Sequence, residues 1–179
     1  MLSPEIRLHV RQRAHFACEY CGVTEIDSAG ELTIDHYQPP RHGGSIDDLQ
    51  NLIYCCSRCN QYKSDYWPLY PTDLSLWNPR NEQRDQHILA LADGTLYPIT
   101  AKGAFTIRRL RLNRPPLIAY RLNAIRHREE TSLLEELRLL IKLQEDAQQQ
   151  HASLLREQQT LLEQQRALLT ILLKLLRES

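Results

Sequence analysis

The sequence predicts a mixed α+β chain that ends in a long helix, and three observations support this. Two Cys-x-x-Cys pairs, Cys18–Cys21 and Cys56–Cys59, lie in the first third of the 179 residues. Ala92-Asp93-Gly94 lies between two short β-type segments and is typical of a hairpin turn. No Gly or Pro occurs from Leu117 to Ser179. We therefore expect three regions, at 1–67, 68–116 and 117–179.

Short elements separated by loops are predicted for the first region. Ser3-Pro4 is typical of a helix start, and this helix should end near His15. Glu31–Ile34 is predicted to be a strand that leads into Asp35-His36. The remaining predicted elements are a loop around Pro39, Pro40, Gly43 and Gly44, a second strand at Asn51–Cys55, and a short helix from Cys59 to about Asp65.

The cysteines indicate a structural metal site. Cys18, Cys21, Cys56 and Cys59 can supply four thiolates to one zinc ion, which closes a tetrahedral site and leaves no open position for chemistry. The alternative is that they are buried free cysteines. Cys55 is the odd cysteine, and we expect it to be a small buried residue. Metal-bound thiols, the lack of a signal-peptide core near the N-terminus and the lack of an apolar run of membrane-spanning length favour a cytoplasmic protein.

An ordered set of residues lies between and just after the two cysteine pairs. It comprises Asp35-His36, Gly43-Gly44, Asn51-Leu52, Asn60 and Lys63. Together with the cysteines, this pattern resembles the HNH endonuclease family in its zinc-bound ββα-metal form. Asn60 stands at the third position, so the chain resembles the HNN variant, over about Arg11 to Trp67. The resemblance implies a small ββα-metal nuclease domain that cleaves DNA.

The residue types suit phosphodiester hydrolysis. The imidazole of His36 can accept a proton from water at neutral pH. Its neighbour Asp35 should point to the opposite face of the strand and hold a metal ion. Asn60 can add an amide oxygen, and this donor set suits Mg²⁺ or Mn²⁺. The resemblance implies that Asn51 orients His36. Taken singly, each of these residues could instead be a helix cap, a turn residue or a surface residue.

The second region is predicted to contain a hairpin and a basic helix. The hairpin strands are His87–Leu91 and Thr95–Ile99, and Thr100 should cap a helix that runs through Leu112. The stretch Ala101–Arg128 contains eight basic residues and no acidic one. It is either an ordinary solvated face or a phosphate-binding face. The candidate nucleic-acid contacts are Arg108, Arg109, Arg111 and Arg114, together with Arg41 and Lys63 near the predicted site.

The third region shows a seven-residue repeat of apolar pairs. The 51 residues at 129–179 include 16 leucines, which an isolated helix would leave exposed. We expect a coiled-coil or bundle helix that forms a homo-oligomer through 129–179, with a partner protein's helix as the alternative. A polar centre at Glu145–Ser153 could instead form a hinge. The repeating pairs are Leu133/Leu134, Leu140/Ile141, Ala147/Gln148, Leu154/Leu155, Leu161/Leu162, Leu168/Leu169 and Leu175/Leu176.

These observations favour a metal-dependent DNA endonuclease presented on an oligomerising helix, with no membrane partner. Such a protein would suit restriction or anti-phage defence. One alternative is a zinc-stabilised nucleic-acid-binding or scaffold protein with an idle nuclease pocket. Another is a nuclease subunit that a partner protein licenses through the C-terminal helix.

Overall fold

Helix α1, Pro4–Arg13, begins where the sequence predicts. The hydroxyl of Ser3 accepts a hydrogen bond from the backbone N–H of Ile6 at 3.3 Å, which caps the first turn. Val10 is fully buried and anchors the helix to the core. The computed structural model describes residues 2–178, with side chains up to Leu173.

Strands β1, Thr33–His36, and β2, Leu52–Cys55, form an antiparallel pair. All four β2 residues are buried, whereas every β1 residue is only half-buried. β1 begins two residues after the predicted start because the N–H of Leu32 donates to the Tyr54 hydroxyl at 2.8 Å. Asp35 and His36 therefore lie within β1, at its end.

Helix α2, Ser57–Lys63, follows β2 directly. It starts two residues before the predicted position because the sulfur of Cys56 accepts the N–H of Cys59 at 3.4 Å and acts as the cap. Ser64, with a positive φ of 51°, ends the helix.

The predicted hairpin is confirmed, as strands β3, Ile88–Ala90, and β4, Leu96–Pro98. Gly94 in its turn has a φ of 78°, and a Cβ there would lie 2.8 Å from the carbonyl oxygen of Ile118. Helix α3, Ala101–Arg109, is capped by Thr100 as predicted. It ends three residues before Leu112, because the backbone reaches a φ of 49° at Arg111.

Helix α4, Pro115–Glu178, is 64 residues long. The chain divides into two compact units between Arg126 and His127. The first unit contains both sheets, helices α1 to α3 and the start of α4. From His127 to Leu173, no described side chain is buried. The predicted repeat ends with Leu175 and Leu176, which lie beyond the last described side chain. Ser179 lies outside the described residues. Within residues 2–178, no helix has the length and apolar content needed to cross a bilayer.

One hydrophobic core joins the first two predicted regions. It combines Val10 and strand β2 with Trp77, Leu110 and other buried residues. The rings of Tyr20 and Trp77 meet edge to face at 6.4 Å. The chain is therefore a mixed α+β protein with two small sheets and a long C-terminal helix.

Candidate functional site

The four cysteines of the two pairs form one buried cluster. The sulfur atoms of Cys18, Cys21, Cys56 and Cys59 all lie within 4.8 Å of one another, and those of Cys21 and Cys56 are 3.7 Å apart. Tetrahedral zinc with Zn–S bonds of about 2.3 Å requires sulfurs about 3.8 Å apart. The cluster therefore fits a zinc ion, as the spacing predicts.

Backbone N–H groups surround the sulfurs. The N–H of Cys21 donates to the sulfur of Cys18 at 3.4 Å, and the second pair repeats this contact. Hydrogen bonds among the four thiols lower the pKa of Cys18 and of Cys56 and raise the pKa of Cys21 and of Cys59, because the sulfurs share protons within one cluster. Burial raises the pKa of Cys55, whose sulfur lies 3.8 Å from the Thr33 hydroxyl, outside the cluster.

The loop after α1 carries the first cysteine pair and is fastened to β2. The N–H of Cys18 donates to the carbonyl of Val23 at 2.8 Å, which closes the loop. The N–H of Glu19 donates to the carbonyl of Tyr54 at 2.8 Å, and the Glu19 carboxylate accepts the N–H of Tyr54 at 2.6 Å. Because β2 leads directly to Cys56, this contact aligns the two cysteine pairs.

A second network supports the same loop. Arg11 donates two hydrogen bonds of 2.9 Å to the Glu25 carboxylate, and these lower the pKa of Glu25. The Tyr54 hydroxyl also donates to Glu25. Burial raises the pKa of Tyr54 to about 12, with the Glu25 hydrogen bond adding to the effect. The network links α1, the cysteine loop and β2.

Asp35 and His36 meet different neighbours at the end of β1. Oδ2 of Asp35 lies 3.0 Å from Nζ of Lys63 on α2. Nε2 of His36 lies 3.0 Å from the carbonyl oxygen of Ile46, in the loop between β1 and β2. The carboxylate thus contacts the helix, while the imidazole contacts the loop.

Asn60 lies on the surface of α2 that faces β1. Its Nδ2 is 3.4 Å from the hydroxyl of Thr33. Thr33 and Asp35 share one strand face, and Asn60 and Lys63 share one helix face. The structure therefore brings Asp35 and Asn60 to one interface between β1 and α2.

Asn51 holds the loop between β1 and β2. Its Oδ1 accepts the N–H of Gln38 at 2.8 Å, while its Nδ2 donates to the carbonyls of Gln38 at 3.0 Å and Ser45 at 2.7 Å. These hydrogen bonds fix the loop whose Ile46 carbonyl meets the His36 ring. Asn51 thus hydrogen-bonds to the backbone of the same loop that the His36 ring contacts.

The close path of this loop explains the Gly-Gly pair. A Cβ at Gly44 would lie 1.9 Å from the carbonyl oxygen of Gln38. Gly43 has a φ of 84°, in the left-handed region that favours glycine. The pair lets the loop turn back toward Asn51.

Lys63 was predicted to contact phosphate at the surface, but its side chain is buried. Its side chain is only 1% exposed, and its ammonium faces Asp35. The prediction missed this position because lysine is usually exposed, whereas the spacing from Asn60 puts Lys63 on the same inward face of α2.

The candidate arginines lie in three settings. Arg41 is exposed and pairs with Asp65 at 2.9 Å, and Arg108 is exposed. Arg109 stacks over Tyr66 at 4.8 Å and donates to the carbonyl of Lys63, which makes it a packing residue.

Arg111 and Arg114 both lie beside α2. Their guanidinium groups stack on the ring of Tyr62, at 4.9 Å and 5.6 Å from its centre. Tyr62 was not among the sequence candidates. Its one signal was its position two residues after Asn60, which does not reveal a contact with residues about fifty positions away.

Comparisons with known proteins agree with the motif. Residues 18–65 match the family model described as HNH endonuclease. The CRISPR-associated endonuclease Cas9 of Corynebacterium diphtheriae is 28% identical over 92 residues, which cover 51% of this chain and 8% of that protein. The chain thus corresponds to a small part of that relative's length. No solved structure matches the chain. Residues 18–65 are therefore an HNH endonuclease domain, as the resemblance predicts.

Proposed function

We propose that the chain is a metal-dependent endonuclease that hydrolyses phosphodiester bonds in DNA. The observation that carries this proposal is the divergence of two neighbouring side chains, with Asp35 directed to α2 and His36 to the opposite loop. β1, β2 and α2 follow one another in the order of the ββα-metal arrangement that the family resemblance implies.

His36 acts as the base that activates water. The carbonyl oxygen of Ile46 can only accept a hydrogen bond, so Nε2 of His36 carries a proton in this contact. Nδ1 then holds the free lone pair and can take a proton from water. The loop thus fixes both the tautomer and the orientation of the ring, and Asn51 acts as a positioning residue through that loop.

Asp35 and Asn60 would hold the catalytic metal ion. The donor set of one carboxylate and one amide oxygen suits Mg²⁺, with Mn²⁺ as the alternative. Oδ2 of Asp35 is buried and lies 3.0 Å from the ammonium of Lys63 without a well-directed hydrogen bond, so a bound metal ion would compete with Lys63 for this oxygen. When bound, the ion would polarise the phosphate and offset charge on the leaving oxygen.

Lys63 keeps the metal side of the site electrically balanced. A buried ammonium is costly unless it is paired, and Asp35 provides the pairing charge at 3.0 Å. Lys63 in turn stabilises the Asp35 carboxylate before metal arrives. Lys63 is thus a positioning residue.

DNA phosphates bind the arginines that remain accessible. Arg111 and Arg114 around Tyr62, with the exposed Arg41 and Arg108, supply positive charge on the domain. Binding through such contacts weakens as salt rises, because counterions are released from the DNA.

The long helix brings copies of the chain together. Its repeating leucines are exposed between Leu133 and Leu173, and a second copy would cover them. Two nuclease domains on one assembly can cut opposite strands, which supports a role in restriction or anti-phage defence. A partner protein that licenses cutting through the same helix is the alternative.

The deciding experiment is a plasmid-nicking assay with Mg²⁺ or Mn²⁺. We expect the wild-type protein to nick the plasmid and His36→Ala to lose roughly 10²- to 10⁴-fold in rate, the usual contribution of a general base. His9→Ala, at an exposed position on α1, is the matched control and should keep its rate. Cutting that persists in His36→Ala contradicts the assignment.

One observation favours a second function. The Asp35 carboxylate already has a cationic partner in Lys63, which is compatible with a zinc-stabilised nucleic-acid-binding protein whose nuclease pocket is idle. Such a protein would bind DNA in a salt-sensitive manner and would not nick it with either metal.

A further inference from the structure

An open cleft of about 280 Å³ lies next to the loop between β1 and β2. Its walls include Tyr37 and Gln38, the two residues that follow His36, together with Trp67 from a later segment. Its volume is close to the lower end of small-molecule sites, roughly 300–1,000 Å³. The cleft therefore adjoins the loop whose Ile46 carbonyl contacts His36, and it can receive one small planar group.

The lining of the cleft excludes a phosphate and suits a nucleobase. No Lys or Arg lines it, and its one charged side chain is the carboxylate of Asp48. Two aromatic rings line it as well, Tyr37 and Trp67, which contact each other edge to face at 5.7 Å. Aromatic rings stack on bases of any sequence.

Side-chain amides supply the polar part of the cleft. Gln50 and Asn81 are exposed, and neither side-chain amide hydrogen-bonds to another described residue. The amide of Asn51 is different, because the loop already uses both its oxygen and its nitrogen. Asn and Gln match the adjacent donor and acceptor of adenine.

We propose that this cleft binds an unpaired base of the nucleic-acid strand, next to the phosphate that is cut, and that it favours adenine. The base stacks on Trp67, and the amides of Gln50 and Asn81 read its edge. This inference rests on the proposed nuclease function, because it is the position of His36 that places the cleft beside the cut. It adds a base preference to the site.

Tryptophan fluorescence of the full-length His36→Ala protein without divalent metal tests the proposal. Trp77, the only other tryptophan, is 4% exposed, so quenching by a ligand reports on Trp67. We expect a short deoxyadenosine oligonucleotide to quench the signal, and an abasic oligonucleotide of the same length to leave it unchanged. Trp67→Phe should abolish the quenching.

Asn81→Ala in the same background should weaken the binding of the deoxyadenosine oligonucleotide by about five-fold or more. Gln83→Ala, exposed and outside the cleft, should bind as before. Equal quenching by the abasic strand, or unchanged affinity in Asn81→Ala, overturns the proposal. The assay requires no cutting. If quenching depends on the base but the wild-type protein never nicks DNA, the proposed nuclease function is rejected and the cleft proposal stands. If the wild-type protein nicks DNA normally but quenching does not depend on the base, the cleft proposal is rejected and the nuclease function stands.

Discussion

The unit that ends at Arg126 and the helix from His127 onward are stabilised in different ways. Every buried residue that the structure describes lies in the first unit, from Val10 to Leu117. The described side chains of the helix from 127 to 173 are all exposed, including its leucines. The first unit thus folds around its own core and four sulfurs, whereas the helix presents exposed leucines that, in our proposal, a second chain covers. Four predictions test this difference.

The largest effect is expected on removing the metal ligands of the first unit. Cys56→Ser should lose zinc and unfold this unit, because structural zinc contributes on the order of 10–16 kcal/mol to such sites, as much as a whole domain's stability. Fluorescence of the buried Trp77 should shift to longer wavelength, while the helical circular dichroism from the long helix should persist.

Cys55→Ala is the matched control, because its sulfur lies outside the cluster. It should retain one zinc per chain by elemental analysis. A Cys56→Ser protein that keeps both its zinc and its buried Trp77 would show that the cluster is not a zinc site.

The helix is tested by polar substitutions on its apolar repeat. Leu154→Gln with Leu161→Gln should dissociate the oligomer, since each buried leucine contributes about 1.5–3 kcal/mol. Sedimentation should show the smaller species, and fluorescence of Trp77 should not change. Glu163→Gln, on the opposite helix face, should leave the mass unchanged. A monomeric wild-type chain would contradict the proposed assembly.

Within the first unit, the ion pair between Asp35 and Lys63 is expected to have an intermediate effect. Lys63→Met should destabilise the domain by about 3 kcal/mol, because it leaves the buried Oδ2 of Asp35 without its cationic partner. Mg²⁺ should then raise the melting temperature more in this variant than in wild type, since the ion replaces the lost charge.

The double variant Asp35→Asn with Lys63→Met separates charge from packing. It should recover much of the stability and lose the response to Mg²⁺. An equal response to Mg²⁺ in the single variant, the double variant and the wild type would argue against metal binding at Asp35.

The smallest effect is expected at Glu25. Because Arg11 lowers its pKa, Glu25 stabilises the fold above the unfolded pKa of about 4.3, and this stabilisation is lost as pH falls through the lower folded value. Glu25→Gln should therefore melt below wild type at pH 7, and the difference should disappear in acid. Asp47→Asn, at an exposed site, should show no such pH-dependent gap. A gap that grows in acid would reject the argument.

Local spacing allowed much of the frame to be predicted. The hairpin around Gly94 and the long helix follow from residues close together in sequence, and the cysteine cluster follows from the three-residue spacing within each of its two pairs. The start of β1 was wrong by two residues, because the hydroxyl of Tyr54 takes the N–H of Leu32, a contact across 22 positions. The sequence around Leu32 does not indicate that a distant side chain accepts this N–H.

The site residues divide in the same way. Asp35, His36 and Asn60 were predicted from an ordered motif, and their role in a site stays a prediction, while the structure shows their side chains on β1 and α2. The burial of Lys63 and the ring contact of Tyr62 were not predicted, because both depend on how α2 packs against segments remote in sequence. The carbonyl of Ile46 was also missed, since every residue has one and only the path of the loop selects it.

The contact between His36 and Ile46 is made to an atom that no substitution can delete. Ile46 is 56% exposed, so many residue types are tolerated there as long as the loop keeps its course. A change at Gly44 or Asn51 would shift that course and move the carbonyl away from the ring. Mutational scanning of this segment should therefore find that substitutions are tolerated at Ile46, which contacts His36. Substitutions should not be tolerated at Gly44 and Asn51, which make no contact with the ring.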